Sequence, residues 1–370
     1  MIETVPSLTE RLLHRIQSEG PITFAEFMRS ALYDPAGGYY CRNDIERWGR
    51  EGDYRTSPER SELFSATFAR YFASLYEDLG SPAQWTILEA GAGSGHFAHS
   101  VLQTLARHFP NVFASTRYVI DEVSVFAQTL CREQAKAFAD RIEFAPVGNV
   151  KLEPGVIFSN ELLDAFPVHR VTRQGSKLKE LFVDTDVNGN FTWVKQPPST
   201  TRLQAQLELC ETELLEGQIV EINLDLENWI ETIAASLKEG FVVSVDYGAS
   251  AAELYASSPE DPRYAGTLRG FRRHTFVDDL LVNPGSHDLT ATVNWTVVEM
   301  IGQQHQLEVV EFKPQDKFLI DAGLLNQLEV ESRNANGDTE RIRLSTTARE
   351  MILPEGMAAK FQVMTQRKVL

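Results

Sequence analysis

From Trp85 onward, short apolar runs alternate with longer amphipathic segments. That register leaves few architectures open, because a strand that reads as a continuous apolar run is buried on both faces and belongs in a parallel sheet covered by helices. Trp85 to Glu89, Tyr118 to Ile120, Ile142 to Ala145, Val156 to Ser159 and Phe241 to Val245 are the candidate strands, and helices are expected over residues 95 to 108 and 125 to 139. Leu307 to Phe312 and Lys360 to Thr365 are expected to supply two more, the last as an antiparallel edge. The chain is therefore predicted to be α/β, with a mostly parallel seven-stranded sheet.

Before this core, residues 7 to 32 carry two helical stripes, Leu8, Leu12 and Ile16, then Phe24, Phe27, Met28 and Ala31, separated by the breaker Gly20-Pro21. Tyr33 to Tyr40 and Gly49 to Pro58 lack periodicity and read as an ordered loop or lid, and residues 61 to 79 return to a helical pattern. Within the core, Val168 to Thr172, Lys179 to Val183 and Phe191 to Lys195 alternate and are separated by turn residues, which marks an inserted β-meander. Two helices are expected after it, over 200 to 215 and 225 to 238. Ser250 to Gly285, rich in Pro, Gly and Ser, reads as loop. The expected division is an N-terminal helical and lid region (1–80), a first core half (81–167), an insertion (168–240) and a second core half (241–370).

Lys and Arg total 35 against 52 Asp and Glu, a net charge of −17, which repels nucleic-acid phosphates and anionic lipid and suits a basic partner. Neither a nucleic acid nor a membrane is expected as partner. Cys41, Cys131 and Cys210 are scattered without metal-ligand spacing, so no metal is expected and a reducing compartment is implied. The first twenty residues hold Glu3, Glu10 and Glu19 and no apolar run of signal-peptide length. A cytoplasmic location is the corresponding expectation.

The first strand ends in Glu89 and runs into Gly91-x-Gly93-x-Gly95 and a helix. Backbone N–H groups and a helix N-terminus then face a ligand with no side chains between. The spacing departs from the G-x-G-x-x-G of dinucleotide folds, and an acid two residues before the first glycine suits the ammonium of a methionine moiety, so S-adenosyl-L-methionine is the expected cofactor. About thirty residues on, the second strand ends in Asp121-Glu122, and either carboxylate can accept ribose hydroxyls. The fourth strand runs into Asn160-Glu161-Leu162-Leu163-Asp164, which projects an amide and two acids from the carboxyl end of the sheet, where open α/β sheets bind ligands.

Taken together, these blocks resemble the MidA-like family of class I S-adenosylmethionine-dependent methyltransferases, which includes a mitochondrial assembly factor that methylates an arginine of a respiratory complex I subunit. The resemblance covers nearly the whole chain. It rests on Tyr33-Asp34-Pro35 with Gly37 to Tyr40, Gly52 to Glu59, Glu89 to Gly95, Asn160 to Val168, Asp246-Tyr247-Gly248, Gly266 to Arg269 with Arg273-His274, Pro284-Gly285, Asp288 to Thr290, and Leu353 to Met357. Ala92, Ser65 and Ala358 stand where the family often has proline, glycine and glycine, the marks of a divergent member.

The resemblance implies a Rossmann-like fold and gives the ribose position to Glu122. It also implies that the lid containing Asp53 to Pro58, with Thr56 and Ser57 toward the cofactor, closes over the site, and that loop 250–290 belongs to the acceptor side. The cofactor set is then Glu89, Gly91, Gly93, Gly95, Glu122, Thr56, Ser57 and Asn160. For an arginine acceptor, carboxylates must grip a planar fork of N–H donors, and Glu161 and Asp164 are the candidates, with Asp53 and Asn160 orienting them. His274 is given a minor role. A protein substrate and a homodimer are expected. The alternatives are a small-molecule O- or N-methyltransferase with an aromatic pocket (Tyr40, Trp48, Tyr54, Phe166) and a non-catalytic scaffold that keeps the fold.

Overall fold

Val156, Ile157 and Phe158 are all at most 1% exposed, and the strand they build runs through the middle of the main sheet. The structure, a computed structural model, describes residues 6–45, 47, 62–255, 258–272, 275–353 and 360–369. Among these the strands are β1 (Ile22–Thr23), β2 (Trp85–Ala90), β3 (Thr116–Asp121), β4 (Ile142–Phe144), β5 (Gly155–Asn160), β6 (His169–Gln174), β7 (Lys177–Thr185), β8 (Phe191–Gln196), β9 (Ile219–Ile222), β10 (Gly240–Ala249), β11 (Arg269–Arg272), β12 (Thr275–Val277), β13 (Asp288–Thr290), β14 (Val293–Asn294), β15 (Leu307–Pro314) and β16 (Phe361–Lys368).

The main sheet follows the path β15-β16-β10-β5-β2-β3-β4, with β14 pairing β10 outside it. Strands β10, β5, β2, β3 and β4 are mutually parallel, and β16 runs antiparallel to both of its neighbours. Successive residues of the inner strands feed opposite cores, as the pleat requires. Ile87, Val156, Phe158 and Val243 pack with the helices Glu62–Asp78 and His96–His108, whereas Leu88, Ile157 and Val242 pack with Asp225–Ser236 and Trp295–Gln304. Phe97 and Phe158 stack at 4.2 Å with rings 7° apart, which locks the first helix after the glycine loop onto β5.

Three expectations are corrected. The last strand is not an edge: β16 lies between β10 and β15, because it is buried along most of its length, whereas β15 is buried only at Leu307, otherwise mixes half-buried and exposed residues, and takes the rim. The insertion contains β9, which pairs antiparallel with β6 and lies in the connection between the two expected helices, and β1 from the N-terminal region joins the same sheet by pairing with β7. Residues 250 to 285, read as loop, contribute β11 and β12 to a three-stranded sheet with β13. Strands of two to four residues carry too little periodicity to be read from sequence.

Parallel register brings the carboxyl ends together. Ala90 lies opposite both Asp121 and Ser159, and Asn160 opposite Val245. Everything that follows each of these strands therefore emerges at one edge.

Candidate functional site

A cleft of about 1110 Å³ opens at that edge and runs from the glycine loop to β11–β13. Gly91, Gly93 and Gly95 have φ of 72°, 54° and 82°, a left-handed backbone that glycine adopts without penalty. The Gly91 N–H donates to the Asp121 carbonyl at 2.8 Å and the Gly93 N–H to Glu122 Oε2 at 3.0 Å. Gly95 caps helix His96–His108 at its N-terminus, and a Cβ there would lie 2.6 Å from Cys131 Sγ. Only a bare backbone lets that helix seat against helix Val125–Gln134.

Glu89 lines the cleft but is only 4% exposed, and its described partner is the Tyr118 hydroxyl, which donates to Oε2 at 2.7 Å. Burial pushes its pKa up to about 8 against the relief given by Tyr118. Asn160 donates through Nδ2 to Glu161 Oε1 at 3.0 Å, while its Oδ1 is buried without a hydrogen-bond partner. A buried carboxyl and an orphaned amide oxygen on one cleft wall form a donor-hungry corner that fits a ligand ammonium.

The two acids after β3 are now distinguished. Asp121 accepts the Val147 N–H at 2.8 Å and ties β3 to the segment after β4. Glu122 accepts the N–H groups of Gly93 and of Ser124, the latter at 2.8 Å, so its half-buried carboxylate is rigidly presented in the cleft.

At the end of β5, Glu161 stands at φ 51°, unusual for a residue with a Cβ, and such a conformation costs about 1–2 kcal/mol. Strain of this kind concentrates at functional sites. The turn it makes delivers Asp164, 5% exposed, to the cleft. Burial raises the Asp164 pKa to about 6 even though Tyr247 donates a hydrogen bond to it. Asp246, fully buried, accepts the N–H of Leu163 at 2.9 Å, of Asp164 at 3.3 Å and of Tyr247 at 2.9 Å. Burial, and after it the neighbouring Asp164 and Glu161, raise the Asp246 pKa well above the usual carboxylate value against the N–H groups it accepts, through which it holds the turn. Across the cleft, Tyr33 donates to the Ala165 carbonyl at 3.0 Å and stacks on Tyr40, whose hydroxyl meets Asp288 at 2.8 Å.

The structure thus brings Glu89, the three glycines, Glu122, Asn160, Glu161 and Asp164 to one edge. Asp53, Thr56, Ser57, Trp48, Tyr54, Arg273 and His274 lie outside the described residues. Sequence reasoning assigned no individual role to Asp246, Tyr247 or Tyr33, and took Asp288 only as part of the acceptor-side loop 250–290. For the first two a signal was present: Asp246-Tyr247 lies in the last part of β10, so the rule that singled out Asn160 after β5 also applies there. Tyr33 and Asp288 come from outside the parallel core, and only the tertiary fold places them.

Residues 67–313 match the family described as "Putative S-adenosyl-L-methionine-dependent methyltransferase". The chain belongs to the S-adenosyl-L-methionine-dependent methyltransferases. This methyltransferase is 29% identical over 387 residues to protein arginine methyltransferase NDUFAF7, mitochondrial, of Homo sapiens, covering 96% of this chain and 82% of that one. The Drosophila melanogaster homolog is 29% identical over 336 residues, 80% of this chain and 70% of that one. A crystal structure from Burkholderia thailandensis bound to S-adenosyl-homocysteine superposes with a TM-score of 0.85 at 27% identity, over 98% of this chain and 95% of that one. The methyltransferase fold and the cofactor expected from the glycine loop are both borne out. The cytoplasmic location is not: the curated relatives of this methyltransferase are named as mitochondrial proteins, and that expectation is withdrawn.

Proposed function

We propose that the enzyme methylates a guanidinium nitrogen of an arginine in a protein acceptor. The observation that carries this reading is the pair Glu161 and Asp164, set by a strained turn on the wall of the cleft, with Tyr247 and Asp246 fixing Asp164. The relatives named as protein arginine methyltransferases support it.

When bound, S-adenosyl-L-methionine supplies a methyl group on a sulfonium leaving group, which leaves the chain the work of positioning and water exclusion. Glu89 and the orphaned Asn160 Oδ1 take the ammonium of the methionine moiety, Glu122 takes the ribose hydroxyls, and the N-terminus of helix His96–His108 closes the floor. Glu161 and Asp164 grip the N–H fork of the acceptor and turn one nitrogen toward the methyl group. The roles of Asp53, Thr56 and Ser57 rest on the family resemblance.

Incubating the enzyme with methyl-labelled cofactor and an extract from cells lacking it, then hydrolysing the protein fraction, is expected to yield labelled methylarginine. Label confined to small molecules, or to another amino acid, would overturn the reading.

Glu89 adds a pH dependence. Its raised pKa means that free enzyme holds a proton there below about pH 8, whereas a ligand ammonium favours the carboxylate. Binding must then expel that proton, so S-adenosyl-homocysteine affinity is expected to rise by up to about tenfold per pH unit toward pH 8 and to level off above it. Titration calorimetry in buffers of different ionisation enthalpy reads the released proton directly. Glu89→Gln should bind weakly and lose the slope, and a slope retained in that variant would place the proton elsewhere.

A further inference from the structure

The sheet of β11, β12 and β13 presents to the cleft residues that the chemistry above leaves unused. Arg269 and Phe271 share one face of β11 by strand alternation, and both line the cleft together with Phe276 of β12. The two phenylalanine rings pack with centroids 4.8 Å apart, yet Phe276 remains 63% exposed. Arg269 lies in register opposite Thr290, and Phe271 opposite Asp288. Thr290 and Asp164 both hydrogen-bond Tyr247, so Arg269 stands one strand beyond the residue that shares a partner with Asp164. Among the described residues Arg269 has no carboxylate partner, although the chain carries a net charge of −17. A cation left unpaired in so acidic a protein, beside an exposed aromatic wall and continuous with the reaction cleft, has the composition of a recognition surface.

We propose that β11 and β12 read the acceptor segment: Arg269 takes a carboxylate flanking the methylated arginine, and the Phe271–Phe276 wall takes an apolar side chain beside it. The inference rests on the proposed arginine acceptor. Arg269 lies one strand spacing from Thr290, and the adjacent Ala291 N–H donates to the Asp164 carbonyl one further spacing away; two spacings of about 4.8 Å, at about 3.3 Å per residue of extended peptide, put the carboxylate about two or three residues from the target arginine. The surface selects among arginines by their flanks, because every arginine offers the same fork to Glu161 and Asp164.

The test uses synthetic peptides with a central arginine and either glutamate, glutamine or lysine at the second and third positions on each side, assayed for methyl transfer by wild type, Arg269→Gln and Arg269→Glu. Wild type is expected to show a KM on the order of tenfold lower for glutamate-flanked than for lysine-flanked peptides, with similar kcat. Arg269→Gln should flatten the order and Arg269→Glu invert it, both with S-adenosyl-homocysteine affinity unchanged, which certifies folding. Methylation of arginine with no flank preference in wild type, or an order unaltered by Arg269→Glu, overturns the inference and leaves the arginine reading standing. Failure to methylate arginine in any peptide counts against both.

Discussion

Replacing Gly95 by valine is expected to lower S-adenosyl-homocysteine affinity by at least on the order of 100-fold, about 2.7 kcal/mol, and to lower the melting temperature. A Cβ at this position would meet Cys131 Sγ at 2.6 Å and Cys131 Cα at 2.7 Å. The second contact is with main chain, so trimming Cys131 to alanine cannot relieve it. The backbone at φ 82° adds its own penalty for any β-branched residue. To make room, helix His96–His108 must move away from helix Val125–Gln134, and the loop that brings the Gly93 N–H to Glu122 moves with it. Gly148→Ala is the matched control, since a Cβ there makes only an ordinary 3.5 Å contact with Thr232. Calorimetry and thermal melts on the two variants decide the point. Full affinity in Gly95→Val would remove the glycine loop from the cofactor site.

Asp164→Asn is expected to reduce methyl transfer by at least about 100-fold while changing S-adenosyl-homocysteine affinity by less than about threefold. The amide keeps the shape of the side chain but cannot grip a guanidinium as an anion, and its own N–H donors face those of the acceptor. The wild-type rate carries the complementary signature. Burial raises Asp164 to about 6, so the carboxylate that holds the acceptor is lost as pH falls through that value, and kcat/KM is expected to drop on its acid side near pH 6. Glu161→Gln, on a more exposed side chain, should fall less. Transfer by Asp164→Asn at the wild-type rate would sink this assignment of the acceptor site.

Much of the parallel core was legible because burial on both faces forces an apolar run, and Val156-Ile157-Phe158 can hardly be anything else. The glycine loop was legible for a related reason, since left-handed backbone at three alternate positions leaves glycine as the only residue free of strain. Spatial order was less accessible. Nothing in the periodicity of residues 361 to 368 says that they slide between β10 and β15, because an inner antiparallel strand and an edge strand can carry the same composition. Site chemistry was legible as far as residue type and no further. Strand alternation left Asp121 and Glu122 equivalent and the family resemblance alone favoured Glu122; in the structure one meets the Val147 N–H and the other the glycine loop. Likewise, the raised pKa of Asp164, about 6, comes from its depth, and that of Asp246, well above the usual carboxylate value, from its depth and from the neighbouring acids, none of which the residue type discloses.

The place of β16 also bears on how the enzyme is made. Its residues leave the ribosome after those of β10 and β15, yet they fill the slot between these two strands. At roughly 5–20 residues per second, several seconds separate the emergence of β15 from that of β16. During that interval β10 offers an open edge of main-chain donors and acceptors flanked by Val243 and Val245, the kind of surface on which strands of other chains can add. A nascent chain stalled before residue 361 is therefore a template for aggregation, whereas a chain that has reached residue 368 covers that edge with β16.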